Sequence, residues 1–414
     1  MSLTDNFSTM TIPFTDPVYI FCIILLSIAL APLVAAKTKL PPLVVLIIIG
    51  ACLSPSVLGI LERNEAVKLL EKIGLLCIML LAGIQMNLSD LKRVGFRAIV
   101  FGCLTFGVPF VSGICLGYFL LHYSLLTSLL LGILFSPHTL ISYPILMRLG
   151  ISAKQSISVA IGGTVVTSIF TLCGLAIVQS LVKGEINNLL WIKLGIGLPL
   201  VAIVSFWVIN QFARFILSPD FPSPGEQFIF ILSTLFVVSS ITLLLGIDSI
   251  VGAFIAGLSL NSVVNQNKAS LTQVEFIGSN LFIPCFLLSV GLLCNPKILI
   301  QHPENLGLAA LVILGAVGAK FVAAWIAGVS FQYSFPEVMS MTGLTLSRAA
   351  LVLVIALYGR EALLPNTSNP VLDEGLFNAI VVYILVTCLV GPLITDRYGR
   401  VLSEPIESPM PIPQ

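Results

Sequence analysis

Carboxylates are missing where this chain is most apolar: of its 19 Asp and Glu residues, none stands in the middle of a long apolar stretch. Two cations do stand there, Lys320 and Arg348. A charge within hydrocarbon costs about 3 kcal/mol or more, so each marks a functional position whose partner has to be found. No span interior supplies a carboxylate for that purpose, and the fixed charge at the centre is therefore positive. Charge of either sign is sparse throughout, at 9% of residues against 57% hydrophobic, where soluble domains carry about 25% charged residues. The composition specifies an all-α polytopic integral membrane protein, with the lipid bilayer as its surroundings.

Other absences narrow the function. The net charge of +1 leaves no basic stripe for nucleic acid. The soluble segments are too short for a catalytic domain, and no nucleophile–base pair, nucleotide loop or metal cluster is visible. An enzyme, a bound cofactor and a dedicated transition-metal site are accordingly not expected. The nine cysteines form no CxxC or Cys/His spacing and read as small buried apolar residues. Residues 1–17 hold Asp5 and Asp16 but no Lys or Arg, so they lack the positive region of a signal peptide. The first apolar run is expected to remain as a span.

What is present is apolar sequence in long runs. With about 20 apolar residues needed per crossing, about thirteen spans are predicted: 18–36, 41–60, 72–89, 95–121, 124–147, 155–182, 190–217, 226–245, 248–263, 277–294, 305–328, 336–358 and 374–394. With the N-terminus outside, the inner connections hold Lys37, Lys39, Lys92, Arg93, Arg97, Arg148, Lys154, Arg214, Lys268, Arg397 and Arg400. The outer ones hold Arg63, Lys68, Lys72, Lys183, Lys193, Lys297 and Arg360. The excess favours an extracytoplasmic N-terminus (1–17) and a cytoplasmic tail (395–414). That short tail predicts no appended regulatory domain.

Thirteen spans divide as six, one and six. The fifth is interrupted by Ser136-Pro137-His138-Thr139 and Ser142-Tyr143-Pro144, and the twelfth by Thr342-Gly343-Leu344-Thr345-Leu346-Ser347-Arg348. Paired interruptions at matching positions point to a transporter built from inverted repeats, with its binding site where the broken helices meet. Unwound backbone is tolerated there because it faces protein or water.

The interrupted stretch 136–144, followed by Gly162-Gly163-Thr164-Val165-Val166-Thr167, resembles the fifth and sixth spans of bacterial monovalent cation:proton antiporters of the sodium/hydrogen exchanger type. Pro41-Pro42, Leu81-Ala82-Gly83, Gly252-Ala253-Phe254-Ile255-Ala256-Gly257, Phe282-Ile283-Pro284 with Ser289-Val290-Gly291, Lys320, and Gly343–Ala350 follow in the family's order. The resemblance covers nearly the whole chain. It implies a homodimer in a bacterial inner or internal membrane, exchanging a cation for protons through alternating access. The mobile core would be 95–182 and 305–394 with the two breaks crossing in it; the dimer scaffold would be 18–89 and 226–294, and 190–217 the linker span.

Two departures from the family stand out. Its ion-binding aspartate after Gly-Gly-Thr is replaced here by Ser168, and the acidic residue that often follows Leu-Ala-Gly by Gln85, with Asn87 a second neutral replacement. Alkali cations accept uncharged oxygen ligands. Thr139, Ser142, Thr164, Thr167, Ser168 and Thr171 offer hydroxyls, and positions 164, 167, 168 and 171 share one helical face. Such a stripe serves equally for ligation or for helix packing.

Lys320 lies too deep to snorkel. In the family the matching lysine pairs with the missing aspartate. Left without it, burial disfavours the charged amine, and three readings stay open: a proton carrier that a cation displaces, a fixed charge that attracts an anion, or an amine bound to carbonyls. Arg348 keeps its proton and is expected to cap carbonyls at the break, with Pro137 and Pro144 structural beside it. His138 is the one histidine placed to titrate in the core, as a relay or as a satisfied structural group. Three functions follow: exchange of Na⁺ or K⁺ for protons, an anion pathway for chloride or bicarbonate, or a transport-inactive partner or sensor.

Overall fold

In hydrocarbon every backbone polar group must be satisfied within the protein, so apolar runs of this kind fold as helices. The computed structural model describes residues 13–38, 40–85, 94–138, 142–151, 154–184, 192–216, 224–264, 268–295, 297, 304–348, 350–365 and 367–403. Among these, the only extended pairing is a single bridge between Leu363 and Pro370.

In chain order the helices are α1 (Pro17–Thr38), α2 (Pro42–Leu53), α3 (Glu65–Ile84), α4 (Phe96–Cys115), α5 (Leu125–Phe135), α6 (Tyr143–Arg148), α7 (Gln155–Val182) and α8 (Leu198–Ile216). They continue with α9 (Pro224–Leu244), α10 (Ser249–Val264), α11 (Lys268–Ile277), α12 (Ile283–Leu293), α13 (Glu304–Phe331), α14 (Phe335–Leu346), α15 (Ala350–Glu361) and α16 (Glu374–Ser403). Wide π turns at Leu116–Leu120, Lys193–Gly197 and Gly278–Phe282 extend α4, open α8 and join α11 to α12.

Among the described residues, eight stretches are long and apolar enough to cross a membrane: Pro17–Thr38, Phe96–Leu120, Gln155–Val182, Gly195–Ile216, Gly225–Leu244, Thr272–Leu293, Leu306–Phe331 and Glu374–Ser403. Each falls on one of the predicted spans. Phe335–Leu346 and Leu351–Glu361, bent by 44°, occupy the interrupted twelfth, and the shorter apolar helices Val44–Leu53, Leu125–Phe135 and Ser249–Val264 occupy three more. The chain is thus a multi-pass membrane protein. Large apolar side chains such as Phe96, Trp207 and Leu244 stay exposed, which suits lipid and not water.

The predicted third span starts earlier than 72. Asn64 accepts a hydrogen bond from the Val67 N–H at 3.1 Å, and Glu65 occupies the electropositive first turn, so α3 begins at Glu65. Residues 86–89 lie outside the described residues.

The chain divides into two compact units. The first comprises Met1–Met86, Leu172–Val312 and Leu353–Tyr383. Its core includes Ile20, Ile24, Leu61, Val67, Cys285 and Leu288. Here α3 and α10 approach backbone to backbone, because a Cβ on Gly83 would stand 2.6 Å from the Phe254 carbonyl oxygen. The second comprises Asn87–Thr171, Ile313–Val352 and Ile384–Gln414, with Phe101, Leu146, Ile157, Met341 and Leu344 in its core.

Candidate functional site

The two interruptions predicted from Pro137 and Gly343 both lie in the second unit, and both follow short capped helices. Ser124 accepts from the Thr127 N–H at 3.1 Å to start α5, while Ser334 and Glu337 form a reciprocal capping box to start α14. Helix α5 ends at Phe135, since Pro137 lacks an N–H and restricts the residue before it. Ser347 is extended (φ −62°, ψ 130°) and ends α14.

The breaks meet. Ser142 Oγ lies 3.3 Å from Ser347 Oγ, and Arg348 Nη1 donates to the Leu134 carbonyl at 3.0 Å. The Arg348 carbonyl in turn accepts from Cys388 Sγ of α16 at 2.8 Å. Arg348 is fully buried, and its guanidinium satisfies a carbonyl that the end of α5 leaves free.

Lys320, carried by α13, is also fully buried. Its Nζ donates to the Thr105 carbonyl at 2.8 Å and the Ser136 carbonyl at 2.6 Å, and lies 3.3 Å from His138 Nδ1. Two carbonyls and a ring nitrogen thus surround the amine. On the far side of the ring, His138 Nε2 is 2.9 Å from Thr164 Oγ1, which donates to the Ala160 carbonyl at 3.0 Å. A continuous line therefore runs from Lys320 through His138 to Thr164 of α7. The carboxylates described in this unit are engaged elsewhere: Glu337 with Ser156 and Ser334, and Asp396 with Arg400.

The hydroxyl stripe divides. Thr167 Oγ1 lies 2.9 Å from Thr105 Oγ1 and donates to carbonyls of Gly102 and Gly163, and Thr171 donates to the Thr167 carbonyl. Both are fully buried on helix-packing duty, where Gly102 and Gly163 bring α4 and α7 together. Thr164 and Ser168 are half-buried. Pro137 is buried in the break, and Pro144 belongs to α6. Thr139 and Asn87 lie outside the described residues, as do Lys39, Lys92 and Arg93 of the orientation count.

Several residues escape sequence reasoning. Thr105 and Ser136 serve through their carbonyls, which carry no residue-type signal. Glu71, left at the edge of a predicted span, is buried in α3, where Arg63 makes a bidentate pair with it at 2.7 and 2.8 Å and Ser289 donates to it. Its register with Val67, Gly74, Leu75 and Ile78, all buried, is the signal that places it inward. Gln85 donates to Glu275 Oε1 of α11 at 2.8 Å.

The fold and this buried positive centre define a multi-pass, all-helical membrane protein with paired broken helices around a lysine. The sequence model of the sodium/hydrogen exchanger transmembrane family matches residues 24–400, and the chain belongs to that family, one of transporters. The chain is 35% identical over 396 residues to the Na⁺/H⁺ antiporter NhaS5 of Synechocystis, covering 93% of this chain and 55% of that protein; it thus spans about half the length of that relative. It is 27% identical to the probable Na⁺/H⁺ antiporter 3 of Methanocaldococcus jannaschii, covering 92% of this chain and 96% of that one. Its fold is similar to the sodium proton antiporter MjNhaP1 of the same archaeon, with a TM-score of 0.73 at 15% identity over 94% of this chain and 97% of that chain.

Proposed function

We infer that this chain is a secondary transporter exchanging a monovalent cation, Na⁺ or K⁺, for protons by alternating access. The observation that carries the reading is Lys320, an amine buried among two carbonyls and an imidazole where the break of α5 meets α13. Among the described residues this amine meets no carboxylate, and it can exchange hydrogen-bond roles with the imidazole it contacts. It is therefore the group best placed to alternate between proton and cation, with His138 beside it. Thr139, Ser142, Thr164 and Ser168 supply uncharged oxygens for the cation, while Thr167 packs α7 on α4 and Pro137, Pro144 and Arg348 hold the breaks open.

The architecture belongs to the same proposal: thirteen spans arranged six, one and six as inverted repeats, a core of 95–182 and 305–394, a dimer scaffold of 18–89 and 226–294, and a linker span at 190–217. The homodimer sits in a bacterial inner or internal membrane, N-terminus out and C-terminus in. The relatives' names as antiporters support cation exchange over a chloride or bicarbonate pathway.

The test is dissipation of an imposed pH gradient in proteoliposomes on addition of Na⁺, K⁺ or Li⁺. Cation-dependent proton flux is expected in the wild type and is expected to vanish in Lys320→Ala. No flux with any cation, together with chloride or bicarbonate uptake, overturns the reading.

A further inference from the structure

The orientation of one hydroxyl decides when a cation can be bound. Thr164 Oγ1 has a single proton and two acceptors within reach of it, the Ala160 carbonyl at 3.0 Å and His138 Nε2 at 2.9 Å. When the carbonyl holds that proton, Thr164 can only accept from the ring, and Nε2 carries the ring proton. In that state Nδ1 is an acceptor, and Lys320 Nζ, at 3.3 Å, is the donor. With its other two N–H bonds on the Thr105 and Ser136 carbonyls, Lys320 is a complete ammonium beside a neutral imidazole. One charge occupies the pair, since a second proton on Nδ1 would face the ammonium directly.

Loss of that proton reverses every bond in the line. A proton passes from Nζ to Nδ1, the Nε2 proton passes to Thr164 Oγ1, and the original hydroxyl proton leaves to water. One proton is released, no electrons move, and the end state is a neutral amine, a ring protonated at Nδ1 and a hydroxyl that donates to Nε2. The Thr164 oxygen then has both lone pairs free. In the protonated state one of them is taken by the ring N–H, and the ammonium beyond it repels any other cation.

We propose that Thr164 is the coupling residue of this exchanger: its hydroxyl oxygen ligates the monovalent cation only after the Lys320–His138 pair has released its proton, so that proton and cation exclude one another at one oxygen without a carboxylate. This deepens the exchange reading and rests on it. The other charged groups around the pair leave the logic intact. Arg348 faces it from the second break and keeps its proton, and Glu337 and Asp396 are held by Ser156 and Arg400. Ser168, one turn along the same face of α7, has no charge to contribute.

Two measurements on the full-length reconstituted protein test this. In the pH-gradient assay, Thr164→Val removes the hydroxyl at nearly constant shape and Thr164→Ser keeps it. The Val variant is expected to lose most of its cation-dependent proton flux, with the Na⁺ or K⁺ concentration for half-maximal flux raised about tenfold, as for the loss of one neutral ligand; the Ser variant is expected to rescue both. A Val variant coupled like the wild type overturns the role of Thr164 while leaving exchange intact, whereas a wild type without cation-dependent flux overturns the exchange reading itself. The second measurement reads the wild type directly. The chain has three histidines, so ¹⁵N-histidine resonances can be assigned by His138→Gln. His138 is expected to change from the Nε2–H to the Nδ1–H tautomer when Na⁺ or K⁺ is added at alkaline pH, and an unchanged tautomer rejects the proposal.

Discussion

Ser168 stands where the resemblance to the antiporter family leads one to expect an aspartate, and it separates the functional readings. An aspartate there would add a charge that attracts a cation and repels an anion. Ser168→Asp is expected to retain exchange and to lower the cation concentration for half-maximal flux, and in that background Lys320→Ala is expected to be tolerated, because the new carboxylate can carry the proton. Exchange abolished by Ser168→Asp alone would count against cation transport. At this scale the sequence is informative about charge and silent about acceptors. Lys320 and Arg348 announce themselves because a charge inside an apolar run is expensive. The carbonyls of Thr105 and Ser136 do not, because every residue has one. Nor could the sequence divide the hydroxyl stripe, since Thr167 and Thr164 differ only in what α4 and the break of α5 bring to each.

Among elements, the breaks were the legible feature, for Pro137 forbids a continuous α5 and the Gly-Leu-Thr-Leu-Ser run weakens α14. Their meeting through Ser142, Ser347, Arg348 and Leu134 spans more than two hundred residues, and no local signal reports it. The same holds for the cluster that ties α3 to its neighbours in the first unit. Arg63, in the loop before α3, pairs with buried Glu71 and with Glu361 at the end of α15, while Ser289 of α12 donates to Glu71. Burial opposes the charge of Arg63, but the two carboxylates outweigh it and hold the guanidinium above its ordinary value. Arg63→Ala leaves a buried carboxylate uncompensated, at a cost of about 3–5 kcal/mol. A clear drop in the thermal midpoint of the detergent-solubilised protein is expected. Glu71→Gln in the same chain removes the stranded charge yet preserves the contact with Ser289, and most of the midpoint should return. Equal instability of the single and double variants would show that the cluster acts by packing and not by charge.

For the whole molecule, composition alone specifies an all-helical membrane protein, and the eight long helices fall where hydropathy puts them. Span boundaries were less legible wherever a cap, and not hydropathy, sets the start of a helix, as Asn64 does for α3. The quantity that belongs to this scale is the charge carried across the membrane in a cycle. If the proton and the cation exclude each other at Thr164, the proton-loaded site holds one ammonium and no other exchangeable charge. The cation-loaded site holds a neutral amine and one M⁺. Arg348 contributes equally to both, so the two loaded states bear the same charge, and a complete exchange cycle moves no net charge across the membrane. A relative that exchanged through a carboxylate would differ whenever its two states bound unequal charge. One uncompensated charge moving through 100 mV gains about 2.3 kcal/mol, enough to change the ratio of forward to reverse flux about fiftyfold. In proteoliposomes with an imposed potassium–valinomycin potential, Na⁺-driven proton flux is therefore expected to keep its rate as the potential is varied between 0 and about 100 mV of either sign. A strong dependence on potential would mean that more than one proton accompanies each cation, and that the Lys320–His138 pair does not hold a single exchangeable charge.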